Sequence, residues 1–364
     1  MPSRKLILVT GINGFLGSHI VDQLVKAGYR VRGTVRSAKV ASVRDNNAMY
    51  GSDVEVIGVD DLAHGDFTEA LRDVDGVIHA AAPLIGRESP ESALTASIEG
   101  ALNILRQTEK AGIKRFVLVS SILTVKLIGD PAPVWTEDDW VDTSREKALA
   151  SNDPTFVYVS QKVLAEKAVG DFADKHPKID VTTVNPPFFV GPFAPNFRFT
   201  DALLSQMSTN VLPYSLLSPD GRPFSPLMLT IDVRDVARAT VHALTSPPSN
   251  SSRRKRFSSS LLSFLSPSPS KVGRKRLLFL PQVASWKDAV EYIAEKRPAL
   301  RDRLSQPART DFPPAPPKGP VDNTRAVEVL KLGKLNDWKT TLIDAVDSIL
   351  EVEKQFAQEG KTFH

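Results

Sequence analysis

The 364-residue sequence contains no cysteine. Disulfides, thiolate nucleophiles and cysteine-ligated zinc are therefore excluded. Its six histidines show neither HExxH nor any other metal-ligand spacing. Long hydrophobic runs are missing too, and nothing approaches the roughly 20 apolar residues that span a bilayer. The chain enters a strand within a few residues of Met1, which leaves no room for a signal peptide, so a cytoplasmic protein is expected. A general excess of positive charge is also absent. The net charge is +4, but residues 249–276 alone hold eight Lys and Arg and no acid, which leaves −4 for the rest. That distribution argues against a nucleic-acid-binding surface. What remains is ordinary for a globular chain, 41% apolar and 24% charged, with length enough for a large core.

The pattern along the chain starts with LILV, residues 6–9, an apolar run of the kind buried on both faces of a sheet. TGINGFLG follows, with Gly11, Gly14 and Gly17 at i, i+3 and i+6. Phe15, Leu16, Ile20 and Leu24 then recur at helical spacing. Glycines at a strand-to-helix junction allow a tight turn and close backbone approach, and the helix start favours a pyrophosphate. Further strands are expected at 29–35, 54–59, GVIHAAAP and RFVLVSS, and again at IDVTTVNPP. Helices are expected around 67–71, 90–111, 155–175 and 233–244, with two more at 324–332 and 338–356. Strands alternating with helices predict a doubly wound parallel α/β sheet. Two segments break the pattern. One, 249–273, is rich in Ser and basic residues and predicts a disordered surface insertion. Its RRKR run also fits an import signal, and the whole segment also fits retained non-coding sequence. The other, 307–320, is proline-rich and reads as an extended connector.

The chemistry concentrates at Ser121, on a strand end, and at YVSQK, Tyr158 to Lys162, opening a helix. Residues four apart share a helix face. A free phenol titrates near pH 10, so a tyrosine needs a neighbouring cation to work as an acid–base group at neutral pH. Lys162 is placed to lower the Tyr158 pKa, and Ser121 to hydrogen-bond a carbonyl oxygen that Tyr158 protonates. Such a pair is ordinary on helix surfaces. Its place after RFVLVSS and behind the glycine turn gives it catalytic meaning.

With these motifs the sequence resembles the extended short-chain dehydrogenase/reductases, and among them the dihydroflavonol-reductase-like carbonyl and aldehyde reductases. TGINGFLG, VRGTVRS, Asp61-Leu62, HAAAP, VLVSS, YVSQK followed by AEK, NPPFFVGP and DVRDVA occur in the family's order and cover nearly the whole chain. The resemblance implies a Rossmann-type NADP-binding domain over mainly 1–190 and a smaller C-terminal substrate-binding lobe over mainly 191–364. It implies that Gly11, Asn13, Gly14, Phe15, Leu16 and Gly17 form the pyrophosphate turn. Arg36, helped by Lys39, would meet a 2′-phosphate, which favours NADP(H) over NAD. Asp61 and Leu62 would border the adenine, and Ala80, Ala81 and Ala82 the middle of the cofactor. Pro186, Phe188 and Val190 would flank the nicotinamide. Ser121, Tyr158 and Lys162 would be catalytic, with Asn103 supporting the proton relay. His79 and the DVRDVA charges are taken as architecture.

Departures from the family narrow the chemistry. No Tyr-Gly follows the serine, as it does in sugar epimerases, and Ile122-Leu123 replaces the acidic pair of dehydratases. Lys126 stands where flavonol reductases carry an Asn. Leu84, Ile85, Lys126, Phe189 and Phe193 are expected to line an apolar or aromatic-accepting substrate pocket. The expectation is NADPH-dependent reduction of a small-molecule ketone or aldehyde by a monomer or homodimer. Oxidation of a secondary alcohol is the alternative within enzymes, and a non-catalytic NADP-sensing protein the alternative outside them.

Overall fold

The computed structural model describes residues 4–83, 85–86, 88–125, 135–221, 228–247, 275–279, 282–306 and 323–363. In chain order the elements are β1 (Leu6–Thr10), α1 (Phe15–Lys26), β2 (Arg30–Val35), α2 (Val40–Asn46), β3 (Val54–Gly58), β4 (Gly76–His79), α3 (Pro90–Lys110) and β5 (Arg115–Val119). There follow α4 (Arg145–Leu149), α5 (Pro154–Lys175), β6 (Asp180–Asn185), β7 (Phe188–Val190), α6 (Val211–Ser215), β8 (Met228–Asp232) and α7 (Val233–Ala243). The last are β9 (Lys275–Leu278), β10 (Gln282–Ala284), α8 (Trp286–Lys296), α9 (Thr324–Leu330) and α10 (Trp338–Gln358).

Seven strands form one parallel sheet in the order β3-β2-β1-β4-β5-β6-β9. Every residue of β1 is buried, and the strand's alternation divides two cores. Ile7 and Val9 join Ile20, Leu24, Val31 and Val236 on one face. Leu6 and Leu8 join Leu105, Phe116 and Val169 on the other. Chain order reverses between β1 and β4, so the crevice at their carboxyl ends is the place where such sheets bind ligands.

Local signals set the helix boundaries. Pro154 occupies the first turn of α5, and the Asp153 carboxylate accepts from the Thr155 amide at 2.8 Å. Ser89 and Pro90 do the same for α3, and α8 begins with a reciprocal Ser285–Asp288 capping box. The helix expected around residues 67–71 is instead a run of turns. The Leu71 amide reaches the Phe67 carbonyl at 2.8 Å, and the chain then leaves at Asp73 with φ 60°.

A second, three-stranded sheet, β10-β8-β7, was not read from the sequence. β7 runs parallel and β10 antiparallel to β8. A third core of Met207, Leu212, Trp286, Ile293, Leu342 and Ile349 packs beside it. The chain passes through this lobe and then returns to the large sheet through β9. The Ser-rich basic insertion, 249–273, lies outside the described residues, as does the connector 307–320.

Candidate active site

The first part of the site is the turn between β1 and α1. Gly11 adopts φ +72°, a region glycine enters without penalty. Its amide donates to the Thr34 carbonyl at 3.1 Å, and its carbonyl accepts from Gly14 at 3.0 Å. A Cβ on Gly17 would lie 2.1 Å from the Gly11 carbonyl oxygen, so the helix can approach the turn only with glycine there. Gly14 is the N-cap of α1 and gives no side-chain hydrogen bond to the first-turn amides; no acid lies in that turn. Those amides and the helix dipole suit a pyrophosphate, so the turn fits the dinucleotide that the sequence implies. Asn13 is exposed beside them. Phe15 and Leu16 bury their side chains in the core, so only their backbone can serve a ligand. Arg36 and Lys39 stand exposed past the end of β2. Asp60 lies beside that site, accepting from the Ser37 amide and hydroxyl at 2.7 Å each, with Arg36 helping to hold its pKa below the usual carboxylate range.

Thr10, which sequence reasoning left without a role, ties the turn to the next strand. Its hydroxyl accepts from the Ala80 and Ala81 amides at 3.2 and 3.1 Å and contacts His79 Nδ1 at 2.9 Å. Ala81 thereby sits against Gly11, where an added Cβ would meet its Cα at 3.1 Å. Burial pushes the His79 pKa down to about 3, and Lys162 adds to the shift. The imidazole therefore stays neutral, tied to the Thr10 hydroxyl.

The second part joins β5 to α5. Ser121 caps a short 3₁₀ turn over residues 122–124, its Oγ accepting from the Leu123 amide at 3.2 Å. The same hydroxyl lies close enough to the Tyr158 phenol to act on its pKa, lowering it. Lys162, one turn further along α5, brings Nζ to 5.9 Å from the Tyr158 ring centre and 3.5 Å from the Val119 carbonyl. Gln161 is buried and donates to the Pro83 carbonyl at 3.1 Å, fastening the 80–83 loop to the same helix.

The electrostatics correct one expectation. Burial, not Lys162, sets the direction of the Tyr158 shift: it pushes the phenol up to about 12, only partly opposed by the Ser121 hydrogen bond. Burial also pulls Lys162 down to about 8, with Glu166 raising it in opposition. Packing around both groups outweighs their mutual influence. At pH 7 the site therefore holds a protonated phenol beside an ammonium.

The remaining predicted residues fall in several places. Asn103 directs its hydrogen bonds away from Ser121, Tyr158 and Lys162. Its amide donates to the Leu62 and Gly65 carbonyls at 3.0 and 2.9 Å and accepts from Gln107 at 2.8 Å, so it holds the loop that carries Asp61 and Leu62. Asp61 accepts from the Ala63 amide and from His64. Ala80, Ala81 and Ala82 are half-exposed at the end of β4, and Ile85 beyond them is exposed. The Pro186 carbonyl accepts from the Ile122 amide at 2.9 Å, next to Ser121. Val190 is buried, and Phe188 packs on the core of the smaller lobe. Phe189 stacks on Phe15 with ring centres 6.0 Å apart. Phe193 lies among Phe15, Phe197 and Phe199 at 5.5, 5.2 and 4.9 Å, joining α1 to the lobe. Leu84 and Lys126 lie outside the described residues.

With this geometry in hand, residues 7–255 match the NAD dependent epimerase/dehydratase family. The chain belongs to that family. An oxidoreductase of Schizosaccharomyces pombe is 36% identical to it over 254 residues, covering 66% of this chain and 74% of that protein. The ketoreductase azaE of Aspergillus niger is 29% identical over 369 residues, covering 95% and 98%. Among solved structures, yeast methylglyoxal/isovaleraldehyde reductase Gre2 complexed with NADPH superimposes with a TM-score of 0.76 at 25% identity, over 96% of this chain and 99% of that one. Among the described residues no helix of this family member is long and apolar enough to cross a membrane, and no cluster of side chains could hold a metal ion.

Proposed function

We propose that this chain is an NADPH-dependent carbonyl reductase that converts a small-molecule ketone or aldehyde to an alcohol. The observation that carries the reading is the Tyr158 phenol, kept protonated by burial next to Ser121 and beside the Lys162 ammonium at the carboxyl end of the parallel sheet. The names of the ketoreductase and of the NADPH-bound reductase support it. When bound, NADPH supplies the hydride. The glycine turn would hold its pyrophosphate, Arg36 and Lys39 its 2′-phosphate, and Asp61 and Leu62 its adenine. Ala80 to Ala82, Pro186, Phe188 and Val190 would line the rest. Ser121 orients the carbonyl oxygen, Tyr158 gives that oxygen its proton, and Lys162 binds the nicotinamide ribose and stabilises the phenolate left behind. Solvent returns the proton to Tyr158. The cytoplasmic setting remains part of this proposal. NADPH consumption over a panel of aromatic and aliphatic carbonyls tests the reading. Turnover of at least one class supports it, and binding of NADPH without any turnover would favour the sensing alternative.

A further inference from the structure

Directly behind the catalytic trio lies a charged pair that the mechanism does not use. Glu166 is 2% exposed and Arg276 4%, and Arg276 Nε donates to Glu166 Oε1 at 2.6 Å. Removing two charges from water is costly unless every polar atom is satisfied. Here the bonds are made. Glu166 also accepts from Ser120 Oγ at 2.6 Å, Asn185 Nδ2 at 2.9 Å and Thr183 Oγ1 at 3.2 Å. The Arg276 guanidinium reaches Thr124 Oγ1 and the Asp139 carbonyl at 3.0 Å each, and lies 3.6 Å over the Trp140 ring. Asn185 Nδ2 in turn donates to the Ser121 carbonyl and to Thr124 Oγ1 at 3.1 Å each. One network therefore joins α5, β6, β9 and the 137–140 segment to the backbone that carries Ser121.

We propose that Glu166 and Arg276 are positioning residues of the reductase: together they fix the Ser121 turn, and Glu166 keeps the Lys162 ammonium charged from one helical turn away. The inference rests on the reductase reading. Lys162 faces His79 from β4, Tyr158 and Glu166 from its own helix, and Arg276 of β9 behind Glu166. His79 titrates near 3 and Tyr158 near 12, so neither changes charge at working pH. Burial lowers Lys162 and Glu166 raises it, which leaves Glu166 as the carboxylate that supports the charge.

The test measures kcat, KM and NADPH affinity from pH 5.5 to 9.5 for wild type, Glu166→Gln, Glu166→Asp, Arg276→Lys and Tyr158→Phe, with thermal unfolding alongside. Glu166→Gln should lower kcat more than it changes KM and should move the alkaline limb down by about one pH unit. Glu166→Asp should restore the limb. Arg276→Lys keeps the charge but loses the Thr124 contact and the ring stack. It should lower kcat with the limb in place. An unmoved limb in Glu166→Gln, with any loss spread evenly over pH, would overturn the proposal. If Glu166→Gln does not fold, wild-type kcat in Arg276→Lys overturns it. NADPH affinity against pH, read by nicotinamide fluorescence, reports the same limb without turnover. Tyr158→Phe separates the two failures, because full activity there sinks the reductase reading itself.

Discussion

Gly17→Ala gives a test of how the dinucleotide turn is built. An alanine in a helix interior is ordinarily worth about 0.5–1 kcal/mol more than glycine, so propensity alone predicts stabilisation. The structure predicts the opposite sign. The new Cβ would stand 2.1 Å from the Gly11 carbonyl oxygen, 2.9 Å from its carbon and 3.0 Å from the Ile12 Cα. All three are backbone atoms, so no side chain can swing aside, and α1 would have to retreat from β1 by roughly an ångström. Overpacking of well-filled interiors costs about 1–3 kcal/mol, and a rigid backbone contact belongs at the upper end. After subtracting the propensity gain, the net loss should be about 2 kcal/mol. NADPH affinity should fall with it, because the displaced carbonyl also accepts from the Gly14 amide at the helix start. Gly28→Ala is the control: Gly28 has φ +85° with nothing within 4 Å, so it should lose stability through local strain alone and keep its affinity. Urea unfolding and nicotinamide fluorescence measure both quantities. A Gly17→Ala protein as stable as wild type with unchanged affinity would refute the account of the turn.

Cofactor choice should turn on Arg36, since a charge-assisted bond to a 2′-phosphate is worth about 1.5–3 kcal/mol. Arg36→Asp should weaken NADPH about tenfold or more and improve NADH, and parallel fluorescence titrations would show it; an unchanged preference places the phosphate elsewhere. His79 should make the fold acid-sensitive. Its folded pKa is about 3 against the ordinary 6.5, so the unfolded chain takes the proton first. The stability is present above pH 6.5 and is lost, by an amount on the order of a few kcal/mol, as pH falls toward 3. His79→Asn, which keeps a polar contact to Thr10 but cannot titrate in this range, should flatten unfolding free energy against pH below 6.5. An equally steep acid limb in that variant would assign the sensitivity to other groups.

Much of the fold was legible because its strands are buried on both faces and announce themselves as unbroken apolar runs, as residues 6–9 do. The glycine spacing was legible for a related reason, since close strand–helix contact excludes any other residue at Gly17. Strands as short as β7 and β10 carry no alternation, so the second sheet had no sequence signal. The grouping of Ser121, Tyr158 and Lys162 followed from their elements, yet the direction of the Tyr158 pKa did not. That direction depends on how far packing from distant segments outweighs a lysine four residues away. The partners of Asn103 were equally hidden, because they are loop carbonyls brought to it only by the path of residues 61–65. Phe193 was legible as an apolar residue, but its ring contacts with Phe15, Phe197 and Phe199 come from distant segments and carried no sequence signal.

The central claim is that Tyr158 delivers the proton to a carbonyl oxygen, and Tyr158→Phe tests it most directly. The substitution removes one oxygen atom and leaves the ring packing of α5 in place. General acid catalysis contributes about 10²–10⁴-fold, so kcat for NADPH-dependent carbonyl reduction should fall by that factor. NADPH affinity should stay close to wild type, because Lys162 and the glycine turn are untouched. Near-wild-type turnover in Tyr158→Phe would contradict the account.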